Sequence, residues 1–424
     1  MAKPVELKQQ NDIELEYIES VLKYVNKFYV DKSKIDNQKF LINAVNKLEI
    51  ELDEVLVDFP EKNDTRYFKL QVNDKEKYFN NIKVDNSSDL INTLKEIFSF
   101  VLNNLRNTEI ELRDIEYSVA DKILKTLDPH SAIITPDIYK EFLIETEGSF
   151  GGLGIVIGIR DGQLTVISPI EGTPAYKAGI KSNDKIVQIE SESTINMTLI
   201  EAVGKLRGKK GSKVNIFVMR KDFPSPKMFS ITRDTIKIES VEAFDLSDDI
   251  LYVRIRDFQR NTLSSLKKEI ASRDTNIKGI VLDLRGNPGG LLDQAEKISD
   301  LFLKKGTVVT TKVGDSSKSY KAKFKIPEYE GKVVVLVNSG SASASEIVAG
   351  ALHNNDRAVV IGERTFGKGS VQQIFDLNDG SAIKLTIANY FTPGDISIQD
   401  TGITPDILLT PSIITEYRFI YETY

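Results

Sequence analysis

Cysteine is absent from the 424 residues, which excludes disulfides, thiolate nucleophiles, zinc ribbons and iron–sulfur clusters together. Histidine occurs only twice, at His130 and His353, so a histidine-rich metal site cannot be built and any Ser/His catalysis must use one of these two. No metal and no cofactor is expected. No apolar run approaches the ~18 residues of a membrane span, and residues 1–30 carry charges throughout with no secretory leader pattern. A strong charge of one sign is lacking too: 56 Lys and Arg against 62 Asp and Glu leave a net −6, which makes nucleic acid a poor partner. What is present is a globular mixture, 41% apolar and 28% charged. At roughly 150 residues per domain, the length suggests about three domains.

Residues 1–146 read as a mainly helical domain. Ile18, Val21, Leu22, Val25 and Phe28 recur at three and four across 12–29, the spacing of an amphipathic helix that docks on its own core or on a dimer partner. Further helices are expected over 39–55 and 88–105, the latter capped by Ser87 or Ser88, with a strand over 66–72 between them. Residues 117–127 and the turn Asp128-Pro129-His130-Ser131 close the domain. From Gly148 the texture changes to short β-branched runs. The runs 153–160 and 163–168 flank Asp161-Gly162, a hairpin signal, and 185–189 and 213–220 bracket a helix over 198–206. Thr173-Pro174-Ala175 opens a short helix ending at Gly179. Together 147–233 predict a small, partly open β-barrel. Beyond Arg233, strands at 251–256, 279–283, 333–337 and 359–361 alternate with helices at 263–272, 291–303 and 344–353, which predicts an α/β core over 234–424 with a C-terminal extension. The fold class is multidomain α+β.

Three turns carry chemistry. In Gly148-Ser149-Phe150-Gly151-Gly152-Leu153-Gly154-Ile155, the glycines at 151, 152 and 154 let backbone N–H groups converge on a carboxylate. Leu153 and Ile155 then offer an apolar pocket, and the following strand can pair with an extended chain end. The glycine-rich stretch 284–290 joins a strand to a helix and can stabilise an anion, a phosphate or an oxyanion, although the P-loop spacing is missing. In Asn338-Ser339-Gly340-Ser341-Ala342-Ser343-Ala344-Ser345-Glu346, small residues surround serines at a strand-to-helix turn, as in a nucleophile elbow. Composition leaves open which serine acts, and Ser343 with Glu346 also fits plain N-capping. The histidines are badly placed as bases: His130 falls in another domain's turn, and His353 lies about three turns along the helix from Ser343. Lys368, between Gly367 and Gly369, becomes a base if burial lowers its pKa.

In order along the chain, 151–158, Ser168-Pro169, Gly172-Thr173-Pro174-Ala175 and Ala178-Gly179-Ile180 resemble a PDZ domain of the protease-associated type. The stretches 283–290, 340–346 and 362–372 resemble the carboxy-terminal processing peptidases, over about 117–407 in all. That resemblance implies a serine endopeptidase on a crotonase/ClpP-like α/β core. Ser343 matches the nucleophile, Lys368 the general base, Gln372 the lysine-orienting residue, and the N–H groups of Gly289 and Ala344 the oxyanion hole, with Gly290 the neighbouring alternative. Arg207 matches a regulatory position that senses docking of the barrel, and the motif around His130 makes that histidine structural. The resemblance further implies substrates with apolar C-termini, an adaptor or activator partner, a homo-oligomer of two or more chains, and residence in the periplasm or cell envelope. Residues 55–115 look inserted relative to the family pattern. The competing readings are a catalytically silent PDZ scaffold and an enoyl-hydratase-like activity, for which no coenzyme A adenine site can be identified.

Overall fold

Helix Glu16–Phe28 buries Ile18, Val21, Leu22 and Val25 against helices Asn37–Glu51, Ser87–Asn104 and Leu112–Leu127, so the amphipathic stripe docks on its own core. The computed structural model describes residues 13–60, 65–106, 111–273, 277–323 and 327–409. The first helix begins at Glu16, where the buried Glu116 carboxylate accepts the N–H groups of Tyr17 (2.7 Å) and Ile18 (3.0 Å); this cap lies 98 residues away, beyond local pattern reading. The second helix stops at Glu51 because Val55 opens a three-stranded antiparallel sheet, Val55–Asp58, Phe68–Val72 and Lys75–Phe79. The third helix is capped by Asn86, whose side chain accepts Ser88 N at 2.9 Å and Asp89 N at 3.0 Å; the expected serine caps lie inside its first turn.

The N-terminal core does not end with the helices. It takes in Ile383 and Leu385 of strand Ala382–Thr392, and strand Ala132–Ile134 pairs antiparallel with that same strand. The turn at Asp128 is thereby delivered to the C-terminal part of the chain.

The middle unit is an open sheet in the order Lys227–Thr232, Lys213–Met219, Lys185–Ile189, Gln163–Pro169, Ile155–Arg160, with the last strand at an edge. Asp161 and Gly162, at φ 49° and 70°, make the two-residue hairpin. Helix Leu199–Leu206 is capped by Thr198 and Glu201 reciprocally. The unit hangs from one antiparallel pair, Ser149–Gly152 with Asp234–Lys237.

In the C-terminal part, strands Ile250–Ile255, Gly279–Asp283, Lys332–Val337, Val359–Gly362 and Ile407–Leu408 run parallel, flanked by antiparallel Val241–Ser247. Alternate residues such as Leu251, Val253, Leu282, Val335 and Val337 bury one face in a core shared with helices Thr262–Ala271, Leu292–Phe302 and Ala344–Asn354. Parallel register puts the turns at 284–290, 338–343 and 363–369 side by side at the carboxyl ends of neighbouring strands, where α/β sheets place their sites.

Candidate active site

Ser343 adopts φ 56° and ψ −114° where strand Lys332–Val337 turns into helix Ala344–Asn354. A serine held at positive φ costs about 1–3 kcal/mol, and such strain persists where the surroundings over-determine it. Of the neighbouring serines, Ser341 and Ser345 are committed elsewhere. Ser341 Oγ donates to Leu284 O (2.7 Å) and Ser345 Oγ to Asn287 O (3.0 Å), both fully buried, while Ser343 is partly exposed. Burial thus sets Ser341 and Ser345 aside and leaves Ser339 exposed and Ser343 partly exposed at the turn. Ala342 N donates to Asn287 O at 3.0 Å and Gly286 N to Asn338 Oδ1 at 2.8 Å, stitching this turn to 284–290.

Gly289 sits at φ 110° against the elbow: a Cβ there would lie 2.7 Å from Ser343 Cβ and 3.0 Å from Ala344 N. Only glycine permits that approach. A Cβ on Gly290 would instead meet Phe258 O at 2.5 Å, so Gly289 is the residue facing the serine. The Gly289 N–H donates to Asn287 Oδ1 at 2.8 Å and is thus occupied.

Glu346 is fully buried and joins the elbow to the lysine loop. Its Oε2 accepts Ser343 N (2.8 Å) and Lys368 N (2.9 Å), and its Oε1 accepts Thr365 Oγ1 (2.6 Å) and Gly367 N (2.7 Å). Burial pushes the Lys368 pKa down, and the Lys384 ammonium pushes it further; Glu346 and Asp128 oppose both. Tyr390 donates to the Lys368 carbonyl and faces the Ser343 side chain, and burial holds its phenol pKa well up, so it stays a neutral donor. Gln372 Nε2 donates to Ser370 Oγ at 2.9 Å and Thr386 Oγ1 at 3.3 Å. His130 is not remote: burial lowers its pKa first and the charge of Lys368 second, so folding brings this turn beside the lysine. His353 pairs with Asp406 Oδ1 at 2.9 Å and Asn354 Oδ1 at 2.8 Å. Among the described residues no cluster of three His, Asp or Glu could hold a metal ion.

The glycine loop expected to bind a chain end is shorter than the run 148–155. Gly151 and Gly152 lie in a strand, opposite Thr235 and Asp234, because Gly151 O accepts Gly208 N at 2.9 Å and the chain pairs with the exit strand. Leu153 is buried in the core of the middle unit. Gly154, at φ 76°, makes the turn, and Ile155 begins the edge strand, beside which Val156, Leu199 and Ile200 are exposed. The Arg207 guanidinium lies 4.4 Å from the Phe150 ring centroid and 2.5 Å from both Glu141 oxygens, tying the middle unit to helix Pro136–Glu147.

Residues 165–220 match the PDZ domain family and 249–409 match Peptidase family S41. A carboxy-terminal-processing protease of Bartonella bacilliformis is 39% identical over 339 residues, 77% of this chain and 78% of that protein. The chain belongs to the carboxy-terminal processing protease family. The CtpA protease of Bacillus subtilis is 39% identical over 282 residues, covering 66% of this chain and 60% of that protein. Among solved structures, the photosystem II D1 C-terminal processing protease aligns over 95% of both chains at TM-score 0.50 and 25% identity. The protease is a serine endopeptidase that recognises substrate through its PDZ domain.

Sequence reasoning saw Glu346 only as half of a capping box; its grip on the lysine loop needed the fold. Ser-x-x-Glu spacing is the one local signal for it. Nothing local marks Tyr390 or the Asx turn of Asn287 as neighbours of Ser343 and Gly289.

Proposed function

We propose that Ser343 is the nucleophile and Lys368 the general base of this endopeptidase, with Gln372 orienting the amine. Neutral Lys368 takes the Ser343 proton as the hydroxyl attacks the peptide carbonyl. The N–H groups of Gly289 and Ala344 hold the tetrahedral oxyanion. The protonated amine then gives its proton to the leaving nitrogen, and water hydrolyses the acyl-enzyme with the lysine again as base. The observation that carries this reading is the Glu346 carboxylate holding the backbones of Ser343 and Lys368 at 2.8 and 2.9 Å. Ser343→Ala and Lys368→Ala proteins that fold normally should lose cleavage of a tail-bearing substrate; retained cleavage sinks the assignment.

In this reading the unit at 147–233 presents the edge strand from Ile155 to protein C-termini with apolar ends, by β-augmentation. The segment 1–146 is the helical domain, 234–424 is the protease core with a crotonase-like ancestry, and 55–115 is an insertion; 410–424 lies outside the described residues. Arg207 reports docking of the PDZ unit. The occupied Gly289 N–H and the Ser343 side chain facing Tyr390 favour a resting arrangement that tail binding converts to the competent one. Residence in the cell envelope, assembly as a homo-oligomer and delivery by an adaptor belong to the same proposal. Sedimentation of the pure protein tests the assembly.

A further inference from the structure

The turn at Asp128 reaches Gln372 through a directed chain of hydrogen bonds. Asp128 Oδ1 accepts His130 N (2.8 Å), Ser131 N (2.9 Å) and Thr386 Oγ1 (3.1 Å), while Oδ2 accepts Ser131 Oγ (2.7 Å). Ser131 Oγ in turn accepts Thr386 N at 3.1 Å, so the turn grips both the backbone and the hydroxyl of Thr386. Thr386 and Ser131 are buried, and Thr386 stands opposite Gln372 in the hairpin register.

A carboxylate can only accept. The Thr386 hydroxyl must therefore donate toward Asp128, which turns its lone pairs toward Gln372 Nε2 at 3.3 Å. Gln372 Nε2 has two N–H groups, and the second goes to Ser370 Oγ at 2.9 Å. Both donors are spent, and Oε1 is left as the acceptor an ammonium needs. Without this arrangement the amide could flip and present N–H groups to the lysine.

We propose that Asp128 and Thr386 are positioning residues of the protease: they fix the orientation of the Gln372 amide, so that the N-terminal turn completes the catalytic centre. This rests on the roles given above to Lys368 and Gln372. The charged and titratable groups facing the lysine are Lys384 on the same strand as Thr386, Glu346 on the nucleophile helix, and Asp128 with His130 on the turn.

The test is Thr386→Val, which keeps shape and removes the hydroxyl, against Thr386→Ser, which restores it. Steady-state cleavage of an unfolded tail-bearing substrate should show kcat lowered at least ~10-fold in Thr386→Val with KM within ~2-fold, and Thr386→Ser recovered to within ~3-fold of wild type, the range of a lost hydrogen bond to a charged group's partner. Equal loss in both variants, or wild-type kcat in Thr386→Val, overturns the proposal. If Thr386→Val fails to fold by thermal melting, Thr386→Ala replaces it, since it also removes the hydroxyl that bonds Gln372 Nε2 and Asp128 Oδ1. The same kcat loss, recovered in Thr386→Ser, supports the relay, and wild-type kcat overturns it. Ser343→Ala run alongside separates the two readings: residual activity there means the dyad assignment has failed, whereas a dead Ser343→Ala with a fully active Thr386→Val means only the relay has failed.

Discussion

Glu346 accepts the backbone N–H of Lys368 at 2.9 Å, and with the same oxygen that of Ser343 at 2.8 Å. One buried carboxylate thus sets the spacing between two turns that lie 25 positions apart in the chain. Glu346→Ala leaves those two N–H groups, Gly367 N and Thr365 Oγ1 without an acceptor. At about 1–3 kcal/mol for each buried unsatisfied group, the loss should exceed ~3 kcal/mol. Urea unfolding checks the stability and a cleavage assay the activity, which should fall at least ~100-fold; a wild-type midpoint with wild-type kcat contradicts the stapling role.

The serine run should separate by function. Ser343→Ala abolishes cleavage without lowering the melting temperature, and relief of its positive φ is unavailable because alanine inherits the same strain. Ser341→Ala and Ser345→Ala keep the nucleophile but each lose a buried bond to the 284–290 turn, costing about 1–3 kcal/mol of stability. Melting curves beside rates for the three variants decide this.

The pH dependence should answer to Lys384. Two like charges disfavour one another, so this ammonium lowers the Lys368 pKa after burial has done so. Lys384→Gln removes the repulsion and favours protonated Lys368. The rising limb of kcat/KM against pH should therefore move to higher pH, and a shift to lower pH or none at all argues against Lys368 as the titrating base.

Glu116 gives the fold its own pH response. Burial raises its pKa to about 7, against the pull of the Tyr17 and Ile18 N–H groups. Folded protein holds this proton up to near pH 7, whereas unfolded chain releases it near ~4.3. Stability from this group is thus greatest at acid pH and declines as pH rises through that window, by up to roughly 3–4 kcal/mol. Glu116→Gln should flatten the difference between pH 5 and pH 8 in denaturant titrations; an unchanged slope counts against it.

Arg207 and Glu141 should behave as one unit. If their bidentate contact reports PDZ docking, each single alanine variant changes the response of cleavage to added tail peptide, and the double variant changes it no further. Additive effects in this double-mutant cycle would falsify the pairing.

Much of this protein was determined locally. Apolar spacing of three and four marked the helix carrying Ile18 to Val25, Asp161-Gly162 marked its hairpin, and the glycine and serine turns after three β-branched runs marked the candidate site, because period, turn chemistry and helix entry are properties of neighbouring residues. Tertiary structure alone decided that Ser341 and Ser345 are buried while Ser343 is not, that Gly289 rather than Gly290 faces Ser343, and that Gly151 and Gly152 join a strand. It also decided that a capping glutamate holds the lysine loop and that the distant turn at Asp128 meets Thr386. Each of these depends on which acceptor a donor finds across a parallel sheet or a shared core. Partners separated by 22 to 258 positions leave no mark in the local pattern.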